Sequence, residues 1–540
     1  MITTKPTLTS TLYCLELDGQ SLTIEDVVSV ARQLREVSYL LSPDAVTRIE
    51  ASNALKQELI ATKQPIYGVT TGFGDSCKRQ ISPEKAVDLQ RNMVLFHLNG
   101  TGPISLPEVA RATMLIRANC LARGNSALRV EVVNRLLYYL EQDILPMIPE
   151  RGSVGASGDL VPLCYLASAL IGEGNVWHKG IVRDVREVLA ELGQEPLILE
   201  AKEGLALING TSFMSAFATL ATVDAMELAF VADLCTAMAA EALCGNRGHF
   251  APFIHEQKPH QGQIISAQRI FSLLEGSQLA RTHQQILAAN EPLSDLTYLE
   301  LNHSIQDKYS LRCAPHIIGV LYDTITWVRR WVEVEINSSN DNPLFDVDTR
   351  NVHSGGNFYG GHIVQAMDSL KVAVANIADL LDRQLELIVD EKFNRGLTPN
   401  LIAYVEKDDY EMGLHHGFKG MQIACSALTA EALKLSNPVS VFSRSTEAHN
   451  QDKVSMGTIA ARDARSIVEL VQQVAAIHLL ALCQAMDLRG AENMSPKTQA
   501  AYLLIREYVP FVDRDRRMDT DIEQVVRLIR SSTLRQVVPF

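Results

Sequence analysis

A chain of 540 residues with 47% hydrophobic and 21% charged positions is long enough to bury one large or two to three ordinary cores, which excludes disorder as its main state. A net charge of −14, with no Lys/Arg cluster to offset it, repels phosphate backbones and anionic lipid and sets nucleic acid and membrane surfaces aside as partners. Nine cysteines, odd in number and never in a C-x-x-C pair, read as reduced thiols of a cytoplasmic protein and not as a disulfide framework or a zinc site.

The opening "MITTKPTLTSTLYCLELDG" lacks the basic start and apolar core of a secretory signal, and residues 1–20 are expected to be flexible. In "SLTIEDVV", Thr23 stands three residues ahead of Asp26 as a capping-box variant, with Val27, Val28, Val30 and Leu34 following at largely helical spacing. The glycines of "QPIYGVTTGFGDS" stop a helix and put Tyr67 on a loop. Helical periodicity returns from Pro83 to about Leu145.

After "RGSVGASGDLVPL" (151–163), "LCYLASALIGEG" reads as a short buried helix ended by glycine, and "NVWHKGIVRDV" as a small hairpin around Lys179-Gly180, nearly the only convincing β-structure. Long alanine-rich apolar patterns follow over Leu205–Ala289, Ser310–Ile336 and Gln365–Val389, with further helices across Gln422–Ser436 and Ala460–Met486. The most apolar stretch, Phe217 to Cys244, carries Asp224, Glu227, Asp233 and Glu241, each costly in a bilayer, so it reads as a buried bundle helix. Uncharged polar loops at 209–212, 302–313, 337–343, 354–361 and 447–457 are where a helical protein would build a site.

Among possible chemistries, a serine nucleophile at Ser157 fails because Gly155-Ala156-Ser157-Gly158-Asp159 ends in Asp where the G-x-S-x-G elbow needs glycine. No glycine cluster matches a phosphate-cradling loop, and the adjacent His415-His416, without an H-E-x-x-H, point to no metal. What Ala156-Ser157-Gly158 can do is react with itself. In a tight turn the Gly158 nitrogen attacks the Ala156 carbonyl carbon, and loss of two waters leaves a five-membered ring with an exocyclic methylene, an electrophile made from the chain alone.

"GSVGASGDLVPL" resembles the signature of the aromatic amino acid ammonia-lyase and aminomutase superfamily, whose members carry this 4-methylidene-imidazol-5-one (MIO). "IYGVTTGFG" (66–74), "KEGLALINGTS" (202–212), "YSLRCAPH" (309–316), "NSSNDNPL" (337–344), "GGNFYG" (355–360) and "HNQDKVSMG" (449–457) also resemble its motifs, in the family's order, so the resemblance spans about residues 20 to 510. It implies an MIO formed from Ala156, Ser157 and Gly158, with no external cofactor and no metal. Asp159 and Asn209 would help its formation and orientation, Tyr67 would be the base, and Tyr309 would stand with them among the catalytic residues. Arg312 would clamp the substrate carboxylate, a bidentate task suited to guanidinium. Gln306, Asn342 and Gln451 would line the site, and Phe358 would flank the prosthetic group.

The resemblance further implies a mainly α fold, a long-helix bundle of the fumarase/aspartase-like type, with a smaller mixed N-terminal domain carrying the MIO loop. The expected divisions are a flexible start (1–20), an N-terminal MIO domain (21–215), a helical-bundle domain (216–510) and a C-terminal helical tail (511–540). A homotetramer with shared active sites and a small aromatic amino acid as substrate are implied as well. The ring-recognition pair falls at Phe96-His97, a mixture of the family's patterns, while Lys419 and Glu447 look phenylalanine-lyase-like. The expected activity is that of a carbon–nitrogen lyase turning L-phenylalanine and/or L-tyrosine into cinnamate or p-coumarate plus ammonia. A 2,3-aminomutase and a histidine ammonia-lyase stay open. Departures from the family pattern are Tyr359, in place of a common His, and "DSCKRQ" after Tyr67.

Overall fold

The structure, a computed structural model, describes residues 13–538. Helix accounts for 57% and strand for 8%, so the fold is mainly α. The chain divides into two compact units, the first made of Met1–Val223, Val328–Asp368 and Pro438–Arg465, the second of Asp224–Trp327, Ser369–Asn437 and Ser466–Phe540. Four of the five boundaries fall inside the four longest helices among the described residues, Ser212–Ala242, Ala314–Ile336, Gly361–Val389 and Gly457–Arg489, and the fifth falls between Asn437 and Pro438.

Of the stretch expected to be flexible, residues 1–12 lie outside the described residues, and Tyr13–Leu17 forms a strand paired in parallel with Val37–Leu41. Helix Ile24–Ala31 begins at the capping box: the Thr23 hydroxyl oxygen accepts from the Asp26 N–H at 3.1 Å and the Asp26 carboxylate accepts from the Thr23 N–H. Such a cap is worth about 1 kcal/mol. The helix buries Ile24, Val27, Val28 and Val30 and packs on Pro107–Ala122, which is buried along nearly its whole length.

The hairpin forms as the alternation predicts, Asn175–His178 against Ile181–Asp184, with Ile144–Pro146 added as a third antiparallel strand. Thr101–Ile104 with Pro149–Arg151, and Leu344–Asp346 with Asn351–His353, are further β-pairs of three or four residues a strand. Strands this short carry too few alternations to be read from sequence. Within the first unit, helices Ala86–Phe96, Leu160–Leu170 and Glu203–Ile208 pack on one another. Their ends carry the Phe96-His97 pair, the Ala156–Asp159 loop and Asn209.

In the second unit the long apolar helices bury acids only with partners, as burial of a charge requires. Asp233 accepts from Ser266 Oγ at 2.5 Å and from Tyr322 Oη at 2.8 Å, and Glu241 from Ser495 N and Thr498 Oγ1, both at 2.7 Å. Ser212–Ala242 and Gly457–Arg489 are long and apolar enough to cross a membrane, but their most apolar windows are 89% and 78% buried inside the fold. That is the environment expected for bundle-core helices.

Candidate active site

The Ala156-Ser157-Gly158 loop is pinned from both sides. The Asp159 N–H donates to Gly210 O at 2.7 Å, the Ser153 hydroxyl donates to Gly158 O at 3.2 Å, and the Ser455 N–H donates to Gly155 O at 3.1 Å. Gly158 has φ +71°, and a Cβ there would lie 2.1 Å from the Gly210 carbonyl oxygen, so no other residue fits. Helices begin at Leu160, Ser212 and Gly457 beside this loop, and their N-terminal ends place positive potential around it.

Asp159 is fully buried, with Oδ2 accepting from Met214 N at 2.8 Å and Oδ1 from Thr458 Oγ1 at 2.5 Å. Burial pushes its carboxyl up to about 7 against those hydrogen bonds. Asn209 is buried, and its Oδ1 takes no hydrogen bond from any described residue. These features fit the prosthetic group: a glycine that only glycine can occupy, a loop held in a tight turn, and an unsatisfied amide oxygen one residue before the strand bridge to Gly158.

A cavity of about 410 Å³ opens over Ser157 and is lined by Tyr67, Gly74, Phe96, His97, Glu447 and Gln451, with Met93, Leu205 and Ile208 as apolar wall. The Tyr67 hydroxyl accepts a hydrogen bond from Gly74 N at 3.0 Å. Burial holds its pKa above the usual phenol value; the Gly74 N–H opposes that shift and the Glu447 carboxylate adds to it. Glu447 accepts from Asp75 N at 2.8 Å through Oε1 and from Asn450 Nδ2 at 2.8 Å through Oε2. Gln451 is held by a short bridge to Thr446.

His97 Nδ1 lies 2.9 Å from Met93 O, and since a carbonyl only accepts, Nδ1 carries the hydrogen and Nε2 is left as an acceptor. Burial lowers its pKa, which favours this neutral form. The Phe96 ring leans on it at 4.0 Å between centroids.

The other predicted site residues lie outside this cavity lining. Asn342 sits behind Asn209, its carbonyl accepting from Asn209 Nδ2 at 3.0 Å and its Oδ1 from Gly355 N at 2.8 Å. Phe358 is half-buried in the turn before helix Gly361–Val389. Gln306, Tyr309, Arg312 and Lys419 belong to the second unit. There Tyr309 is 71% exposed, with the Arg312 guanidinium over its ring at 4.5 Å, and Lys419 opens helix Lys419–Leu435. Sequence reasoning missed Gly74, Gly210 and Thr458 as partners of Tyr67, Gly158 and Asp159; the only signal for the two glycines was membership of quoted motifs, and Thr458 lies one residue past the last of them.

Residues 22–507 match the aromatic amino acid lyase family. Over 97% of this chain and 98% of the relative, the sequence is 40% identical to a histidine ammonia-lyase of Myxococcus xanthus. The fold matches a tyrosine aminomutase from Streptomyces globisporus with TM-score 0.90 and 36% identity, covering 97% of this chain and 98% of that one. It matches a histidine ammonia-lyase from Trypanosoma cruzi with TM-score 0.86 and 35% identity, covering 97% and 95%.

These findings correct the expected substrate. The reading of an L-phenylalanine or L-tyrosine ammonia-lyase giving cinnamate or p-coumarate is overturned by near-full-length relatives that are histidine ammonia-lyases. The physical reason lies in the cavity: Phe96 suits any flat ring, and the polar Glu447 lines the same cavity, which a reading of the Phe96-His97 pair alone does not show.

Proposed function

The chain belongs to the aromatic amino acid lyase family, and from that premise we propose that it acts on L-histidine, releasing ammonia and the α,β-unsaturated imidazole acid. It is a carbon–nitrogen lyase of the ammonia-lyase type. The observation that carries the substrate is the 40% identity over 97% of the chain to a histidine ammonia-lyase. The cavity chemistry supports it: the Glu447 carboxylate and the His97 Nε2 both line the cavity as acceptors, which suits a ring that carries an N–H donor. An acceptor that an apolar ring leaves unpaired, as it would the His97 Nε2, discriminates against that ring.

The MIO made from Ala156-Ser157-Gly158 supplies an electrophilic carbon for the substrate amine. Tyr67 takes the β-hydrogen as a proton on its phenol oxygen, and the Gly74 N–H at 3.0 Å stabilises the phenolate that must exist beforehand. Asp159 and Asn209 hold the loop. Arg312 grips the substrate carboxylate with Tyr309 beside it, Gln451 lines the cavity with Gln306 and Phe358 as further neighbours of the substrate, Asn342 backs Asn209 from behind, and Lys419 adds a cation. Because Gln306, Tyr309, Arg312 and Lys419 do not line the cavity over Ser157, we assign the working enzyme as a homotetramer whose sites take residues from several subunits. The test is ammonia release from L-histidine by the purified protein, one mole for each mole of unsaturated acid. No ammonia from L-histidine contradicts the proposal.

A further inference from the structure

Behind the Ala156-Ser157-Gly158 loop lies a buried ion pair to which the proposed activity assigns no part. Lys202 Nζ is 2.5 Å from Asp341 Oδ2, with side chains 0% and 1% exposed. Burial lowers the Lys202 pKa and the Asp341 charge opposes that shift. A buried ion pair seldom adds net stability over apolar residues of the same volume, so its presence asks for another reason. Lys202 also holds φ +78°, a left-handed backbone in a residue with a side chain. Such strain persists only where surrounding contacts over-determine it, and it clusters at functional sites.

The other carboxylate oxygen shows what the pair does. Asp341 Oδ1 accepts from Asn209 Nδ2 at 3.1 Å, and the Asn342 carbonyl accepts from the same nitrogen at 3.0 Å. Both hydrogens of the Asn209 amide are thereby used on one side, and its Oδ1, which no described residue satisfies, is turned to the other. The backbone is fixed too: Arg117 donates to the carbonyls of Asn209, at 3.1 Å, and of Ala206. The next residue, Gly210, bridges to Gly158.

We propose that the Lys202–Asp341 pair is a positioning device that orients the Asn209 amide toward the Ala156-Ser157-Gly158 loop, and that loss of two waters from that loop depends on it. A bond forms between Gly158 N and the Ala156 carbonyl carbon, and the Gly158 amide hydrogen moves to the former carbonyl oxygen. That oxygen leaves as water with the Ser157 amide hydrogen, and the Ser157 hydroxyl leaves as the second water with the Cα hydrogen, so nothing is oxidised or reduced. Asp341 supplies the acceptor that stops the Asn209 amide from turning over; Lys202, bonded to the other carboxylate oxygen, keeps that acceptor in place. The device acts on formation of the group, so it stands or falls independently of which amino acid the enzyme takes.

Two double variants separate positioning from stability. Lys202→Met with Asp341→Leu removes charge and acceptor together, whereas Lys202→Met with Asp341→Asn keeps an acceptor oxygen opposite Asn209. Both are checked for native helix content by circular dichroism, and intact mass reads the fraction of chains short by two waters. The expected result is a folded leucine variant whose mass is complete and a folded asparagine variant short by two waters. Equal dehydration in the two, or none in either, overturns the proposal. If the leucine variant does not fold, Asp341→Asn alone decides. Opposite the Lys202 ammonium its amide cannot serve both neighbours, and its dehydrated fraction should fall about tenfold below that of the asparagine double variant. Equal fractions overturn the proposal.

Discussion

The Glu447 carboxylate occupies the space that a side chain on Gly74 would fill: a Cβ on Gly74 would lie 2.2 Å from Glu447 Oε1. The two residues are 373 positions apart, yet they join the loop bearing Tyr67 to the loop that brings Glu447 and Gln451 to the cavity. Gly74 gives its N–H to Tyr67, and the next N–H, of Asp75, goes to Glu447.

Gly74→Ala is expected to open this clasp. It adds strain at φ +54° as well as the clash, and strain of this kind costs roughly 1–3 kcal/mol. Steady-state kinetics should show kcat/KM reduced about tenfold or more, with the two-water mass deficit intact. Unchanged kinetics would show that the loop does not depend on the clasp.

Tyr67→Phe should lower turnover by roughly 10²–10⁴-fold, the usual contribution of a general base, and leave the mass deficit untouched. Burial raises the Tyr67 pKa above its ordinary value, so the phenolate is scarce near neutrality and kcat/KM in the parent should climb as pH rises toward the alkaline side. A pH–rate profile flat from about pH 7 to 10 would remove Tyr67 as the base.

Asp159 makes a stability prediction. Its carboxyl is raised from 3.8 to about 7 by burial, so the folded state holds a proton that the unfolded chain has released. The contribution is fully present below pH 3.8 and is lost as pH rises through about 7. Asp159→Asn should therefore flatten the decline in denaturation midpoint across that window. An identical slope in parent and variant would contradict the assignment.

Shared sites predict complementation between dead subunits. Tyr67→Phe and Arg312→Ala proteins should each be nearly inactive alone. Unfolded and refolded together in equal amounts, they should recover about a quarter of parent activity, the share of sites that random assortment supplies with one intact copy of each residue. No recovery in mixed oligomers would place both residues of a site on one chain.

Much of the fold was legible because apolar, alanine-rich sequence runs without a proline through long segments such as Ser212–Ala242 and Gly457–Arg489. The loop at Ala156-Ser157-Gly158 was legible because its chemistry is contiguous. Its supports were not, because they come from afar: Thr458 reaches Asp159 across 299 positions and Asp341 reaches Lys202 across 139. The substrate was misread for a related reason. Phe96 and His97 are neighbours in sequence and read as a pair, whereas the cavity lining also includes Glu447, 350 positions beyond His97.

The central claim is tested most directly by offering purified enzyme L-histidine, L-phenylalanine and L-tyrosine separately and comparing kcat/KM, with products identified by chromatography and mass. The account predicts the unsaturated imidazole acid and ammonia from L-histidine, at a kcat/KM at least about tenfold above the other two. Preference for either of the others, or a β-amino acid as the main product, would contradict it.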